Sequence, residues 1–144
     1  MPPCITYKGG YKYQLTKRYT HETGIKVPRL IVVSPFLVFD HGRLSIMPGY
    51  AWDGPSGPTI DTPSFMRGSL VHDALYQLIR EGHLGEEHRL RADELLFMIC
   101  REDGMSPWRA QYVYWAVRWR GDEALGPKKV LRAPKDCEDN NQGE

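Results

Sequence analysis

The run SLVHDALYQL, Ser69 to Leu78, sets an imidazole, a carboxylate and a phenol within five positions of an otherwise apolar segment. Histidine is the side chain that exchanges a proton near neutral pH. If the run is helical, residues four apart share a face, so His72 and Tyr76 are neighbours. Asp73 is turned by about 100° from His72 and is expected to diverge from it, toward a loop or an ion. Taken alone, such a pair is more often a satisfied core histidine beside a surface aspartate. A second carboxylate changes the balance. Asp93, in ADELLF, falls on or next to the apolar side of a later helical pattern, where an acid is costly unless it is paired. The short EGHLG connection makes these two helices antiparallel neighbours and brings Asp93 across from His72 and Tyr76. An aspartate that accepts an imidazole N–H and a phenol O–H holds the histidine in one tautomer. The other ring nitrogen is then left as a base.

The loop WDGPSGPTID precedes this helix. Gly54 and Gly57 allow backbone carbonyls to approach a ligand closely. Hard cations such as calcium take carboxylate and carbonyl oxygens, so Asp73, loop carbonyls and either Asp53 or Asp61 would make a cation site. A proline- and glycine-rich turn with solvated acids is the plain alternative. His83 and His88 could add imidazoles for a metal-dependent phosphohydrolase, although both fall at or near the helix connection, where solvated histidines are common.

The elements that must hold these groups are legible as an α+β chain. YKYQLTKRY and KVPRLIVVSPFLVF are rich in β-branched and aromatic residues, and DHGR punctuates a hairpin, PFLVFDHGRLSIM. Antiparallel β-hairpins are therefore expected first, with Pro28 and Pro35 pushing parts of them to edge positions. Three helices are expected next. The first spans about 63–80, with Thr62 as cap and Phe65, Leu70, Val71, Ala74, Leu75, Leu78 and Ile79 inward. The second spans about 86–102, with Ala92, Leu95, Leu96 and Ile99 inward. The third opens at Ser106 and Pro107 and is expected to close at Gly121. Its aromatic stripe, Trp108, Tyr112, Trp115 and Trp119, reads as core. Arg109, Arg118 and Arg120 beside it could face a membrane or a protein partner. Residues 1–125 read as one α+β domain, and 126–144 as a polar, disordered tail.

The chain has 144 residues, which suits one core. Its formal net charge is +1 and its basic residues form no block, so no nucleic-acid partner is expected. Cys4, Cys100 and Cys137 are odd in number and match no disulfide framework, which points to a reducing compartment. The N-terminus shows no signal peptide, and no apolar run approaches the roughly 20 residues of a transmembrane segment. Oligomeric state is left open.

Two resemblances follow from the assembled motifs. DGPSGP at Asp53–Pro58, HDALY at His72–Tyr76, ADELLF at Ala92–Phe97 and VRWRG at Val117–Gly121 resemble a phage and prophage family of unknown function, over about residues 35–121. That resemblance implies a viral or prophage setting, in the host cytoplasm or the virion, with other virion proteins as partners. The layout also resembles phospholipase A2, above all the disulfide-free type of viral capsids. This likeness implies a calcium-dependent lipid ester hydrolase acting on phospholipid at a membrane surface. His72, Asp93 and Tyr76 would be its catalytic group, and Asp73 would hold calcium with Trp52, Asp53, Gly54 and Ser56 of the loop. The loop departs from that family in carrying Trp52, Asp53 and two prolines, and Pro55 and Pro58 remove N–H donors. The same network in a non-catalytic virion or lysis-associated protein is the competing expectation.

Overall fold

A computed structural model describes residues 5–8, 13–52 and 62–125, with backbone alone for 7–8 and 120–125. The expected tail at 126–144 lies outside the described residues, as do Cys4 and Cys137. The order is strands first, then helices: β1 (Tyr7–Lys8), β2 (Tyr13–Leu15), β3 (Tyr19–Glu22), β4 (Leu30–Val33), β5 (Leu37–Asp40), β6 (Arg43–Ile46), β7 (Ala51–Trp52), α1 (Pro63–Arg80), α2 (Arg89–Glu102) and α3 (Pro107–Leu125). This is the α+β arrangement expected from the sequence.

The strands form two antiparallel sheets, β1-β2-β7 and β3-β6-β5-β4. In the larger one, period-two alternation turns Leu37, Phe39, Leu44 and Ile46 into the core. The β5–β6 hairpin closes on His41 and Gly42, with φ of 50° and 95°. Two left-handed residues in a row are what a tight hairpin with right-twisted strands requires. Gly42 is needed for a second reason: a Cβ there would lie 2.8 Å from the carbonyl oxygen of Ile25. β4 is an edge strand, in keeping with its flanking prolines, and exposes Leu30 and Val32.

Helix α1 is buried along most of its length because the sheet covers one side and α2 the other. All seven of its expected inward residues are buried, as are the four expected on α2. Close approach of α1 and α2 depends on Gly68. A Cβ at that position would come within 2.9 Å of Cys100 Sγ and 3.1 Å of Leu96 Cδ1. Gly68→Ala is therefore expected to lower stability by about 1–2 kcal/mol, overpacking outweighing the gain in helix propensity. Urea denaturation reads this out; unchanged or raised stability would show that the helices do not need the close approach. Arg67, the preceding residue, is only 2 % exposed. It donates to both Asp103 carboxylate oxygens, to Glu102 and to the Tyr19 hydroxyl, and so ties α1 to the sheet and to the end of α2.

Four helical details differ from expectation. Thr62 occupies the cap position of α1 but makes no side-chain cap bond; its hydroxyl instead accepts from Arg109 at 2.8 Å. The first three residues of the expected second helix, Glu86–His88, form a 3-10 turn. Helix α3 continues through Gly121 to Leu125, since one glycine weakens a helix without ending it unless the chain must turn there. The largest difference is the aromatic stripe of α3, which is not core. Trp108, Tyr112, Trp115 and Trp119 are 88, 53, 62 and 89 % exposed. Ala110 and Val113, on the other side of the helix, are the residues that pack inward. No helix among the described residues is long and apolar enough to cross a membrane.

Candidate functional site

Asp93 sits at the centre of the site with no solvent exposure. Helix α2 places it on the face turned to α1, among Ala92, Leu95 and Leu96. A bare carboxylate could not remain charged there, and this one accepts three hydrogen bonds. His72 Nε2 and the Tyr76 hydroxyl both lie 2.7 Å from Oδ1, and Arg118 Nη1 lies 2.9 Å from Oδ2. The spacing of α1 explains the first two contacts: positions 72 and 76 are one turn apart, and their rings lie 4.1 Å apart, tilted by 34°. The third donor comes from α3.

An ionised carboxylate only accepts, so Nε2 of His72 carries the proton. In neutral His72 the lone pair is then on Nδ1, which lies 3.7 Å from Asp73 Oδ1. Burial works against a charge on His72, but the carboxylates of Asp73 and Asp93 outweigh it and raise the imidazole above its ordinary value. Burial also works against the ionised form of Asp93. Its bonds from His72, Tyr76 and Arg118 overcome this and hold the carboxyl below the usual aspartate range. Tyr76 is pushed upward by burial and by the adjacent Asp93, and stays a protonated donor.

The structure thus brings His72, Tyr76 and Asp93 together, as expected from the sequence. His72 and Tyr76 share one oxygen of Asp93. The structure differs on one point: Asp73 stays within ion-pair distance of His72 rather than diverging fully. Asp73 is the partly exposed member, its side chain 38 % accessible, against 9 % for that of His72. Trp52 lies at the end of β7, buried, with its indole N–H donated to Ser69 Oγ at 3.0 Å. That bond ties the end of β7 to the second turn of α1. Asp53, Gly54, Ser56, Gly57 and Asp61 lie outside the described residues. Among the described residues, no group of three or more histidine, cysteine, aspartate or glutamate side chains forms a metal cluster. His83 and His88 instead stand 3.9 and 3.6 Å from Glu81 and Glu87 on their own connection.

Arg118 is the member of the network whose place sequence reasoning missed. It was read as able to face a membrane or protein partner, and it turns inward to Asp93. The sequence carried only a partial signal: a carboxylate can accept more hydrogen bonds than His72 and Tyr76 supply. Arg109 likewise turns back to the chain, at Thr62. The side chain of Arg120 lies outside the described residues.

Residues 30–117 match the family model described as a protein of unknown function, DUF1353. The chain is a member of the DUF1353 family. The segment matched to DUF1353 runs from β4 into α3 and contains His72, Asp73, Tyr76 and Asp93, while Arg118 follows directly after its end. The DUF1353 description carries no activity. No curated protein and no solved structure matches the chain.

Proposed function

We propose that this DUF1353 protein is a calcium-dependent lipid ester hydrolase of the phospholipase A2 kind, with His72 as general base. The observation that carries the reading is the shared oxygen of Asp93. By accepting from His72 Nε2 it leaves Nδ1 as the basic atom, on the side of the exposed carboxylate Asp73. His72 Nδ1 takes the proton of a water attacking the ester carbonyl. The buried negative charge of Asp93 stabilises the imidazolium that forms, and Tyr76 and Arg118 keep Asp93 in place. The proton returns from His72 to the leaving alkoxide. The lipid substrate and a phage or prophage setting rest on the resemblance of the motifs.

The donor chemistry at Asp73 fits calcium, which prefers carboxylate and carbonyl oxygens. Asp73 would hold the ion together with residues of the 52–57 loop. The chemistry such an ion supplies when bound is stabilisation of negative charge developing on the ester oxygen. Asp73→Asn is expected to remove the calcium dependence and most of the hydrolysis of mixed phospholipid micelles, followed by fatty-acid release across a calcium titration. Wild-type protein that releases no fatty acid at any calcium concentration, or an Asp73→Asn variant equal to it, would sink the reading.

A non-catalytic role has one observation in its favour: His72 is only 8 % exposed. In that case the four side chains are a buried hydrogen-bond network joining three helices. The micelle assay separates the two readings, because a structural network has no calcium-dependent turnover.

A further inference from the structure

The four exposed aromatics of α3 are spaced 4-3-4, at positions 108, 112, 115 and 119. That is the apolar repeat of a helix that packs along another helix. On a helical projection they form one narrow stripe opposite Ala110 and Val113, which anchor α3 on the rest of the molecule. Helix α3 is thus apolar on two opposite sides, and among the described residues only one is covered.

We infer that the outer face of α3 is the interface of a two-fold dimer, in which α3 of one copy packs antiparallel on α3 of a second copy. The spacing fits this occupant. A 4-3-4 stripe reads the same in both directions, so a two-fold axis between positions 113 and 114 pairs Trp108 with the second copy's Trp119, and Tyr112 with its Trp115. All four aromatics are then matched with none left over, as an isologous interface requires. The area agrees. With these exposures and about 150–250 Å² per aromatic side chain, complete burial of the stripe would remove roughly 600 Å² per copy. The total of about 1,200 Å² reaches the lower end of stable protein interfaces.

Among the described side chains, charge favours a second copy over an acidic bilayer. Interfacial helices that bind anionic lipid carry a basic rim beside their aromatics. Here the two flanking arginines with described side chains are engaged inward, Arg109 with Thr62 and Arg118 with Asp93. Arg118 also gives the interface a route to the buried network, since it lies one residue before Trp119 on the same helix.

Sedimentation equilibrium of the full chain, from about 1 to 100 μM, tests the inference. The wild-type protein is expected to show twice the chain mass at the upper end. Trp115→Glu is expected to be monomeric throughout, with wild-type helical circular dichroism, because Trp115 is largely exposed and its ring contact is with its neighbour Tyr114. Val32→Glu, on the exposed edge of β4, is expected to remain dimeric. A wild-type monomer at every concentration overturns the inference. So does a dimer that survives Trp115→Glu or is lost with Val32→Glu. Binding of the wild-type monomer to phosphatidylglycerol vesicles, abolished by Trp115→Glu, would also overturn it and assign the stripe to lipid.

Discussion

Replacing His72 with glutamine is expected to cut phospholipid hydrolysis by about 10²–10⁴-fold, the usual contribution of a general base. Glutamine is the informative substitution because its amide N–H can reach the acceptor that His72 Nε2 now uses. The buried Asp93 then keeps a donor where His72→Ala would leave a gap. Melting temperature should therefore change little while turnover falls. The reading fails if His72→Gln hydrolyses micelles at the wild-type rate. A variant that loses activity only in proportion to lost folded protein would argue for the structural network instead. The comparison is needed because His72 is both the candidate base and a part of the helix packing.

Asp93→Ala is expected to have the largest effect on stability, about 3–5 kcal/mol. Two closed-in donors, His72 Nε2–H and the Tyr76 hydroxyl, lose their only acceptor in the network, at about 1–3 kcal/mol each. Arg118 is less affected, since its side chain is 28 % accessible and can turn to water. Thermal unfolding should fall by about 10–20 °C for a domain of this size. The same network sets a pH window. Asp93 is held below its ordinary value of 3.8, so its contribution is complete above that pH and is lost as pH falls through the lowered folded value. His72 is raised above 6.5, so its contribution is complete below that pH and is lost as pH rises through the raised value. In calcium-free buffer the stability difference between wild type and Asp93→Ala should therefore be greatest between about pH 4 and 6.5. A difference that stays flat from pH 3 to 8 would exclude a charged Asp93 at the centre.

The antiparallel helix pair and its triad were legible because they rest on short-range rules. His72 and Tyr76 are related by one helical turn, the short connection fixes the direction of α2, and a carboxylate between Ala92 and Leu95 demands donors. The β5–β6 hairpin was legible from DHGR for the same kind of local reason. What escaped was tertiary. An arginine between tryptophans reads as surface until the open oxygen of Asp93 is known, and Arg118 crosses from a third helix to become its third donor. The aromatic stripe was misplaced because helical periodicity identifies an apolar face without saying which of two faces is covered by the same chain. Ala110 and Val113 are small, yet they took the core side, since α3 must lie close to α2. Arg67 was overlooked because a charged residue in an apolar helix reads as solvent-facing. Its buried position depends on Tyr19, Glu102 and Asp103, which are brought to it by the sheet and by the end of α2.

Arg118 has a further consequence, for the order in which the protein can be made. Asp93 belongs to a helical hairpin that can pair as soon as α2 has left the ribosome, but its second oxygen has no donor until residue 118 emerges. During synthesis the hairpin must therefore either wait, with Asp93 hydrated, or close around a carboxylate that is short of one partner. The arrival of α3 lets water leave that oxygen. Helix α3 is in this sense the latch of the site, and a chain cut just before residue 118 would hold every member of the triad without the means to seal it.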